Sequence, residues 1–129
     1  MEHRILVVED QRDIAELVRM HIRDLGHQVD LAQDGDEGLE RARTGRYDLI
    51  VLDVMLPDIN GKEVCQRVRT DPTMDDVKII CISGMVEQDK IEDLRASGAD
   101  DFMQKPFEVD LLVDRICQLL EIETSLVAG

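Results

Sequence analysis

Five polar residues follow or end short apolar runs of the chain, and their side chains could do chemistry together. The carboxylates of Glu9 and Asp10 follow one run, and the carboxylate of Asp53 follows another. The hydroxyl of Ser83 ends a third run, and the ammonium of Lys105 follows a fourth. If these runs are parallel strands of one sheet, the five side chains meet at its carboxyl edge, where open α/β sheets bind ligands. Such a cluster could hold a divalent cation and a phosphoryl group.

Three neighbouring carboxylates favour a bound cation on electrostatic grounds. Two carboxylates about 5 Å apart repel each other by roughly 3 kcal/mol at an effective dielectric constant of about 20. A divalent cation among them offsets this repulsion, and oxygen ligands without histidine or thiolate suit Mg²⁺. A free oxygen of Asp53 could then attack a phosphorus atom, while Lys105 and Ser83 bind the phosphoryl oxygens. Covalent catalysis through an aspartyl phosphate requires this set of groups.

Apolar patterning predicts the elements that position the cluster. Short apolar or alternating runs predict five strands, at 5–8, 28–32, 49–52, 78–82 and around Phe102. Apolar residues spaced by three and four predict an amphipathic helix after the first strand, with an apolar face of Ile14, Leu17, Val18, Ile22 and Leu25. Gly26 is placed to end that helix.

Four further helices are predicted between and after the later strands. They cover 34–45, 61–69 and 88–97, and a last helix presents Leu112, Ile116, Leu119 and Leu120 on one face. Asp71-Pro72 breaks the third helix, and Gly98 ends the fourth. Strands that alternate with helices of this length imply βαβ units with right-handed crossovers. The sequence therefore predicts a single α/β domain around a parallel sheet.

Length and charge exclude several classes of function. A chain of 129 residues fits one domain with a single hydrophobic core, and its 2% aromatic content means that aliphatic residues build that core. A formal net charge of −14 argues against direct nucleic-acid binding, which needs excess Lys and Arg. The same charge disfavours binding to anionic membranes. We therefore expect neither a nucleic acid nor a membrane among the direct partners.

Cysteine usage and the amino terminus point to the cytoplasm. The three cysteines, Cys65, Cys81 and Cys117, are odd in number and have no CxxC spacing, which is typical of reduced residues in a reducing compartment. No segment has the length of a membrane span, and Met1 to Arg4 lead directly into a short apolar run unlike a secretory signal. The expected location is cytoplasmic.

By its pattern of elements and the polar residues at the strand ends, the chain resembles the receiver domain of bacterial two-component response regulators. The resemblance covers about residues 4 to 122, so we expect a receiver domain at 1–122 and a tail or the start of a linker at 123–129. The motif residues that carry it are Glu9-Asp10, the stretch from Asp53 through Pro57 to Gly61, Ser83-Gly84, Phe102 and Lys105-Pro106.

The resemblance implies a fold and a role for each site residue. The fold would be a flavodoxin-like, doubly wound, five-stranded parallel sheet of order 2-1-3-4-5. Asp53 would be the phosphoryl acceptor, and Mg²⁺ would be held by Asp10, Asp53 and the Met55 carbonyl. Glu9 would act on the metal mainly through water. The peptide bond between Lys105 and Pro106 would be cis.

The resemblance also implies partners and a switch. The phosphoryl donor would be a histidine kinase or a phosphotransfer protein. After phosphorylation the Ser83 hydroxyl would turn toward the phosphoryl group, and Phe102 would move into the space released. This would bias the face made by the fourth helix, the fifth strand and the fifth helix toward a downstream partner or a second copy, as a homodimer. Because residue 102 is Phe, no phenolic hydrogen bond can fix its rotamer.

Other interpretations of the chain have different consequences. It could be a stand-alone receiver, or the receiver of a longer regulator or hybrid kinase whose output domain is absent. An aspartyl-nucleophile phosphatase would have a second aspartate two residues after Asp53, where Met55 stands, so we expect a phosphoacceptor rather than an enzyme. A flavin or nucleotide carrier is disfavoured because the turn after the first strand is acidic and lacks glycines that cradle phosphate.

Three smaller motifs have simple structural interpretations. The stretch 34–38 resembles a calcium loop but has its glycine one position early, which favours a helix start. The three histidines show no metal-ligand spacing. Arg67 and Arg69 are predicted to form a solvated helix face.

Overall fold

Five strands and five helices alternate along the part of the chain that the structure describes. The structure is a computed structural model that describes residues 2–56, 58–74, 76–84 and 88–120, so Pro57 and the predicted tail at 123–129 lie outside the described residues. The strands are Arg4–Val8 (β1), Gln28–Ala32 (β2), Leu49–Asp53 (β3), Lys78–Ser83 (β4) and Asp101–Gln104 (β5). The helices are Arg12–Asp24 (α1), Gly35–Thr44 (α2), Gly61–Arg69 (α3), Gln88–Ala96 (α4) and Val109–Leu119 (α5), with a 3₁₀ turn at Pro72–Met74.

The strands form one parallel sheet of order β2-β1-β3-β4-β5. The chain reverses its direction of winding between β2 and β3, which lie on opposite sides of β1. Asp53 pairs with Ile82 across β3 and β4, and Ser83 pairs with Gln104 across β4 and β5. This is the expected flavodoxin-like, doubly wound arrangement, so the predicted fold class and strand order are confirmed.

Two apolar layers, one on each face of the sheet, form the core. One layer packs α2, α3 and α4 against the sheet, and the other packs α1 and α5 against the opposite face. Every residue of β3 is buried, as expected for a central strand covered on both faces. Full burial of one aliphatic side chain contributes roughly 1.5–3 kcal/mol. The buried strands therefore give the carboxyl edge of the sheet a rigid base.

The buried face of α1 is narrower than its predicted apolar face. Ala15, Val18 and Ile22 contact the sheet, whereas the side chains of Leu17 and Leu25 are 42% and 46% exposed. Leu17 is one residue, or about 100° of rotation, away from Val18 and so lies off the buried stripe. Leu25 follows the end of the helix, where Gly26 turns the chain with a φ of 92°. The predicted apolar face of α1 is thus wider than the face that the fold buries.

Capping residues fix the starts of α2 and α3 beside the sheet edge. The Asp34 carboxylate accepts a hydrogen bond from the Glu37 amide at 2.8 Å, so the stretch 34–38 is a helix start, as predicted. The Asn60 side chain accepts from the Lys62 amide at 2.8 Å. Both helices therefore begin at the edge where Asp53 ends its strand.

Arg69 does not lie on a solvated face. Its guanidinium donates hydrogen bonds to the carbonyls of Gly98 and Val77 and to the Asp100 carboxylate, at 2.6–2.8 Å. Arg67, in contrast, makes an exposed ion pair with Glu63 on the same helix. The prediction is therefore wrong for Arg69, because its fork of donors reaches carbonyls that are distant in sequence.

The three cysteines are free, with Cys65 and Cys81 buried in the core. Among the described residues, no helix combines the length and the apolar character needed to cross a bilayer.

Two histidines that are far apart in sequence meet at the amino-terminal edge of the sheet. The His3 amide donates a hydrogen bond to Nδ1 of His27 at 3.0 Å, and the two rings lie 5.3 Å apart. Because Nδ1 accepts this bond, the His27 ring must be unprotonated there. Burial, followed by the neighbouring charge of His3, lowers the pKa of His27, while Glu2 and Asp48 raise it to a smaller extent.

We expect His27 to make the folded state less stable in mild acid. Its pKa is lower in the folded than in the unfolded chain, so the unfolded chain binds more protons as the pH falls below about 6.5. The contribution of His27 to stability is thus present above that pH and is lost as the pH falls through the folded-state pKa. Urea unfolding between pH 8 and pH 5.5 should show this loss in the wild type and a smaller loss in His27→Gln. His21→Gln, at a half-buried position of α1, is the control, and equal pH slopes for all three proteins would contradict the expectation.

Candidate functional site

The sheet brings the chemistry-bearing residues to one edge. Glu9 and Asp10 follow β1 directly, Asp53 is the last residue of β3, and Ser83 is the last residue of β4. Lys105 follows β5. The amide of Glu9 donates to the Ala32 carbonyl at 3.0 Å and so continues the β1–β2 pairing past the end of β1. All five residues therefore lie at the carboxyl ends of strands.

The Asp53 carboxylate is buried and held through both of its oxygens. Asp53 as a whole is only 3% exposed. Oδ1 accepts a hydrogen bond from the Met55 amide at 2.9 Å, and Oδ2 accepts one from the Lys105 ammonium at 3.1 Å. These two donors fix the direction of the carboxylate at the end of β3. A carboxylate held in this way is preorganised for nucleophilic attack.

The Lys105 ammonium bridges three oxygens at the sheet edge. It lies 3.1 Å from Asp53 Oδ2, 3.1 Å from Gln11 Oε1 and 3.0 Å from Glu9 Oε1. Burial lowers the pKa of Lys105, but the hydrogen bonds and negative charges of Glu9 and Asp53 outweigh it, and the net pKa is raised. The side chain therefore carries its positive charge at neutral pH. It offsets part of the repulsion between the carboxylates.

Glu9 has a buried oxygen that the described protein leaves unsatisfied. Its Oε2 accepts from the Gln11 amide at 3.1 Å. Oε1 lies 3.0 Å from the Lys105 ammonium as an ion pair, but it has no hydrogen-bond partner among the described groups. Burial raises the pKa of Glu9 to about 7, and the neighbouring Asp53 adds to this effect. The Gln11 amide and the Lys105 ammonium favour the ionised form but do not outweigh burial, so a cation bound beside them would stabilise that form further.

The acidic cluster has the composition of a site for a hard cation. Glu9, Asp10 and Asp53 each offer a carboxylate oxygen, and these oxygens lie within 4.8 Å of one another. At that separation two full charges repel by about 3 kcal/mol at an effective dielectric constant of about 20. The unsatisfied Glu9 oxygen and the all-oxygen ligand set fit a divalent ion such as Mg²⁺. The cluster could therefore bind a metal.

The loop after β3 approaches the site through Val54 and Met55. The Gly61 amide donates to the Val54 carbonyl at 3.0 Å, which folds the start of α3 back onto the end of β3. A Cβ on Gly61 would lie 2.6 Å from the Val54 Cα and 2.7 Å from the Asp53 carbonyl oxygen. Only glycine allows this close approach of two backbone segments. The loop that follows the acceptor candidate is therefore packed directly on it.

Comparison with known proteins decides the family. The model of the response regulator receiver domain matches residues 5–117, which include the whole sheet except Arg4 and most of the five helices. The chain belongs to the response regulator receiver family. The resemblance inferred from the motif residues is thus confirmed, and so is the assignment of a single receiver fold.

Relatives of this receiver domain include longer regulators. It is 46% identical over 113 residues to the transcriptional regulatory protein DltR of Streptococcus agalactiae, covering 88% of this chain and 50% of DltR. It is 38% identical over 118 residues to the response regulator ArlR of Staphylococcus aureus, covering 91% of this chain and 52% of ArlR. The chain therefore spans about half the length of the curated relatives it matches.

Solved structures show the same architecture. The chemotaxis protein CheY4 of Vibrio cholerae matches this receiver domain with a TM-score of 0.87 and 28% identity, covering 92% of this chain and 99% of CheY4. The receiver domain of the Francisella response regulator 1452 matches with a TM-score of 0.85 and 28% identity, covering 95% of this chain and 99% of that domain.

The two residues predicted to form the switch lie on neighbouring strands of the receiver domain. Ser83 ends β4, and its carbonyl accepts a hydrogen bond from the Lys105 amide at 2.8 Å. Phe102 lies on β5, where it is partly buried against the core layer of α2, α3 and α4. The guanidinium of Arg95, on α4, lies 5.2 Å from the centre of the Phe102 ring. This cation–π contact joins α4 to β5.

Sequence reasoning missed two contacts of the site region. Gln11 follows the acidic pair Glu9-Asp10 directly, and that position was the available signal for a contact with Lys105. Arg95 had no signal in the sequence, because its position over Phe102 depends on how α4 packs beside β5. The peptide bond between Lys105 and Pro106 is cis, as the resemblance implied.

Proposed function

We propose that this receiver domain accepts a phosphoryl group on Asp53 in a Mg²⁺-dependent reaction and transmits the change through the face of α4, β5 and α5. The observation that carries the proposal is the buried Asp53 carboxylate, which lies between the Lys105 ammonium and the Met55 amide. The unsatisfied oxygen of Glu9 beside it supports a cation at the same place.

In the proposed reaction an Asp53 oxygen attacks the phosphorus of a phosphohistidine on the donor protein. A bond forms between that oxygen and phosphorus, the bond from phosphorus to the imidazole nitrogen breaks, and the nitrogen keeps the electron pair. Lys105 lies 3.1 Å from Asp53 and is placed to bind a phosphoryl oxygen and to offset its charge. Ser83 would donate a hydrogen bond to another phosphoryl oxygen.

The cation would be held by oxygens on two loops. Asp10, Asp53 and the Met55 carbonyl would be its protein ligands, and Glu9 would act mainly through water. When bound, Mg²⁺ supplies positive charge that neutralises the phosphoryl oxygens and screens the carboxylates from one another. The three carboxylates converge because β1 and β3 are adjacent in the sheet.

A surface beside the site fits a protein donor. Leu17 and Met20 expose apolar side chains on α1, and Leu17 and Ile14 line a groove that continues to Lys105 and Phe107. The groove is mostly apolar, and Lys105 joins it to the acceptor site. We propose that a histidine kinase or a phosphotransfer protein docks there, because its phosphohistidine could then reach Asp53. Apolar contact would supply the affinity and the site would supply the chemistry.

The output would run from Ser83 to the face of α4, β5 and α5. Phosphorylation would draw the Ser83 hydroxyl toward the phosphoryl group and would allow Phe102 to move inward. That movement would break the contact between Phe102 and Arg95 and so change the surface of α4. The recipient would be a downstream protein, an output domain of the same chain, or a second copy. DltR is named a transcriptional regulatory protein, but at a net charge of −14 this domain is not proposed to bind DNA itself.

We do not propose that the domain hydrolyses phosphate esters in solution. The phosphatases that use an aspartyl nucleophile usually carry their general acid two residues after it, and the side chain at that position is the exposed thioether of Met55. The domain would assist only its own phosphorylation and dephosphorylation.

We expect wild-type protein incubated with acetyl phosphate and Mg²⁺ to gain the mass of one phosphoryl group, measured on the intact protein. Asp53→Asn should gain none, because an amide oxygen is a poor nucleophile toward phosphorus. Omission of Mg²⁺ should abolish or strongly slow the gain. Asp114→Asn, on an exposed part of α5, is the matched control and should be labelled as the wild type is. Equal labelling of Asp53→Asn and the wild type would refute the assignment of Asp53.

A further inference from the structure

The Asp58 carboxylate joins the loop after β3 to the start of α2. Its Oδ1 accepts a hydrogen bond from the Gly35 amide at 2.8 Å, and its Oδ2 accepts one from the Asp36 amide at 2.9 Å. These partners are 23 and 22 residues away in sequence. The carboxylate thus binds two successive amides at a helix start, where unsatisfied donors and the helix dipole favour negative charge.

The start of α2 uses this carboxylate to complete its cap. The Glu37 amide is satisfied by the N-cap residue Asp34, and the Glu37 side chain accepts in return from the Gln33 amide at 2.8 Å. The amides of Gly35 and Asp36 lie earlier in the first turn, and the Asp58 carboxylate accepts both of them. The helix start is therefore capped partly by its own residues and partly by the loop that carries the acceptor candidate.

Packing holds the same loop against α2. A Cβ on Gly35 would lie 2.3 Å from Cγ1 of Ile59 and 3.3 Å from Oδ1 of Asp58, so the loop lies directly on the backbone of the helix start. Partial desolvation raises the pKa of Asp58, but backbone hydrogen bonds, chiefly from Gly35 and Asp36, outweigh it and hold this pKa below its usual range. Asp58 is thus ionised at neutral pH, as its contacts require.

Met55 lies between two attachments of this loop. On one side its amide binds Asp53, and the Gly61 amide binds the Val54 carbonyl. On the other side Asp58 binds the start of α2. Only two residues separate Met55 from Asp58 in the sequence, so both attachments limit where the Met55 backbone can lie. Loss of the Asp58 contact would free one side of the loop.

We propose that Asp58 is a positioning residue for the cation site, holding the loop so that the Met55 carbonyl faces the carboxylates of Asp10 and Asp53. This inference rests on the proposed Mg²⁺ site. The start of α2 and the cation would then be coupled through this loop. The Asp58 contacts hold the loop at α2, and the cation would hold it at the Met55 carbonyl. Such coupling is reciprocal, so Mg²⁺ should also protect the start of α2.

The test compares the wild type, Asp58→Ala and Asp58→Asn by titration with Mg²⁺ alone, followed through backbone amide chemical shifts. Groups that orient a metal ligand typically change metal affinity by about 10- to 100-fold. We expect Asp58→Ala to bind Mg²⁺ about tenfold more weakly than the wild type. Asp58→Asn keeps one acceptor oxygen, so its affinity should lie between the two. The spectra without Mg²⁺ report whether each variant is folded.

Asp71→Ala is the matched control. The Asp71 carboxylate accepts two hydrogen bonds from Thr73, so its removal also costs a local cap, but it lies in the turn before β4 and away from the loop of Met55. Its Mg²⁺ affinity should equal that of the wild type. A second readout is amide hydrogen exchange at Gly35 and Asp36, which Mg²⁺ should slow in the wild type and in Asp71→Ala but not in Asp58→Ala.

The outcomes separate this inference from the proposed function. The role of Asp58 would be overturned if Asp58→Ala bound Mg²⁺ within twofold of the wild-type affinity. It would also be overturned if Asp71→Ala bound Mg²⁺ as weakly as Asp58→Ala does. Either result would leave the Mg²⁺ site itself intact. A wild-type protein that does not bind Mg²⁺ would overturn the proposed site, and this inference with it. Selective weakening in Asp58→Ala together with loss of the exchange effect would establish the positioning role.

Discussion

Replacement of Lys105 by methionine should slow phosphoryl transfer to Asp53 by about 100-fold or more. The ammonium lies 3.1 Å from Asp53 Oδ2 and 3.0 Å from Glu9 Oε1, so it is a positive group at the place where the phosphoryl oxygens would enter. Removal of one preorganised group that stabilises developing negative charge typically costs about 10²- to 10³-fold in rate. Methionine keeps the length and most of the apolar stem of the side chain but not its charge.

Mg²⁺ affinity should respond differently to the same change. The Lys105 ammonium is a positive charge beside the carboxylates that would bind the cation, so its loss should leave Mg²⁺ binding unchanged or make it tighter. The expected result is therefore slow labelling by acetyl phosphate with retained Mg²⁺ binding in the same sample. Lys78→Met, at the opposite end of β4, is the control and should behave as the wild type in both assays. Normal labelling of Lys105→Met would contradict the role assigned to this lysine.

Gly61→Ala should destabilise the fold by about 2 kcal/mol or more and weaken the cation site. Alanine is favoured over glycine inside a helix by about 1 kcal/mol, and because Gly61 is the first residue of α3 the gain there would be smaller. The new Cβ, however, would lie 2.6 Å from the Val54 Cα and 2.7 Å from the Asp53 carbonyl oxygen. Both are backbone atoms that cannot rotate away, and overpacking of this kind costs about 1–3 kcal/mol or more. The cost of the clash should exceed the gain in helix propensity. The clash can be relieved only by a shift of the backbone at the end of β3.

Urea unfolding with and without Mg²⁺ measures both effects of Gly61→Ala. The variant should lose stability, and its gain in stability from added Mg²⁺ should be smaller than that of the wild type. Gly26→Ala is the comparison, because its Cβ would meet no atom within 4 Å while its φ of 92° is strained for alanine. It should lose about 1–2 kcal/mol, the typical cost of a left-handed backbone for a residue with a Cβ, and keep the full response to Mg²⁺. A full Mg²⁺ response in Gly61→Ala would show that the close approach at Gly61 does not shape the site.

Local patterns in the sequence were sufficient for the α/β class and for the edge on which the candidate site lies, whereas the strand order was implied by the family resemblance. The continuous apolar run at 49–52 predicted a central strand, and β3 is buried throughout. Gly26 predicted the end of α1 to within two residues. The Asp34-Gly35 pair predicted the start of α2 to within one residue. Because parallel strands put their carboxyl ends on one edge, the order of elements alone was enough to bring together residues that follow four different strands.

Contacts that depend on the packing of distant elements could not be predicted in this way. The two apolar layers decide which of the leucines of α1 are buried, and periodicity alone did not separate Leu17 from Val18. Arg69 and Asp58 make most of their hydrogen bonds across 22 to 31 residues, and the partners are mostly backbone groups that have no signature in a sequence. Their side chains look like ordinary charged surface residues until the helices are in place.

Reductive trapping of the phosphorylated protein tests the central claim most directly. Borohydride converts an aspartyl phosphate to homoserine, and peptide mass measurement then identifies the residue that carried the phosphoryl group. After incubation with acetyl phosphate and Mg²⁺, we predict this conversion at Asp53 and its absence without Mg²⁺. Conversion at Asp10 or Glu9 instead, or phosphorylated protein in which Asp53 is unchanged, would contradict the account.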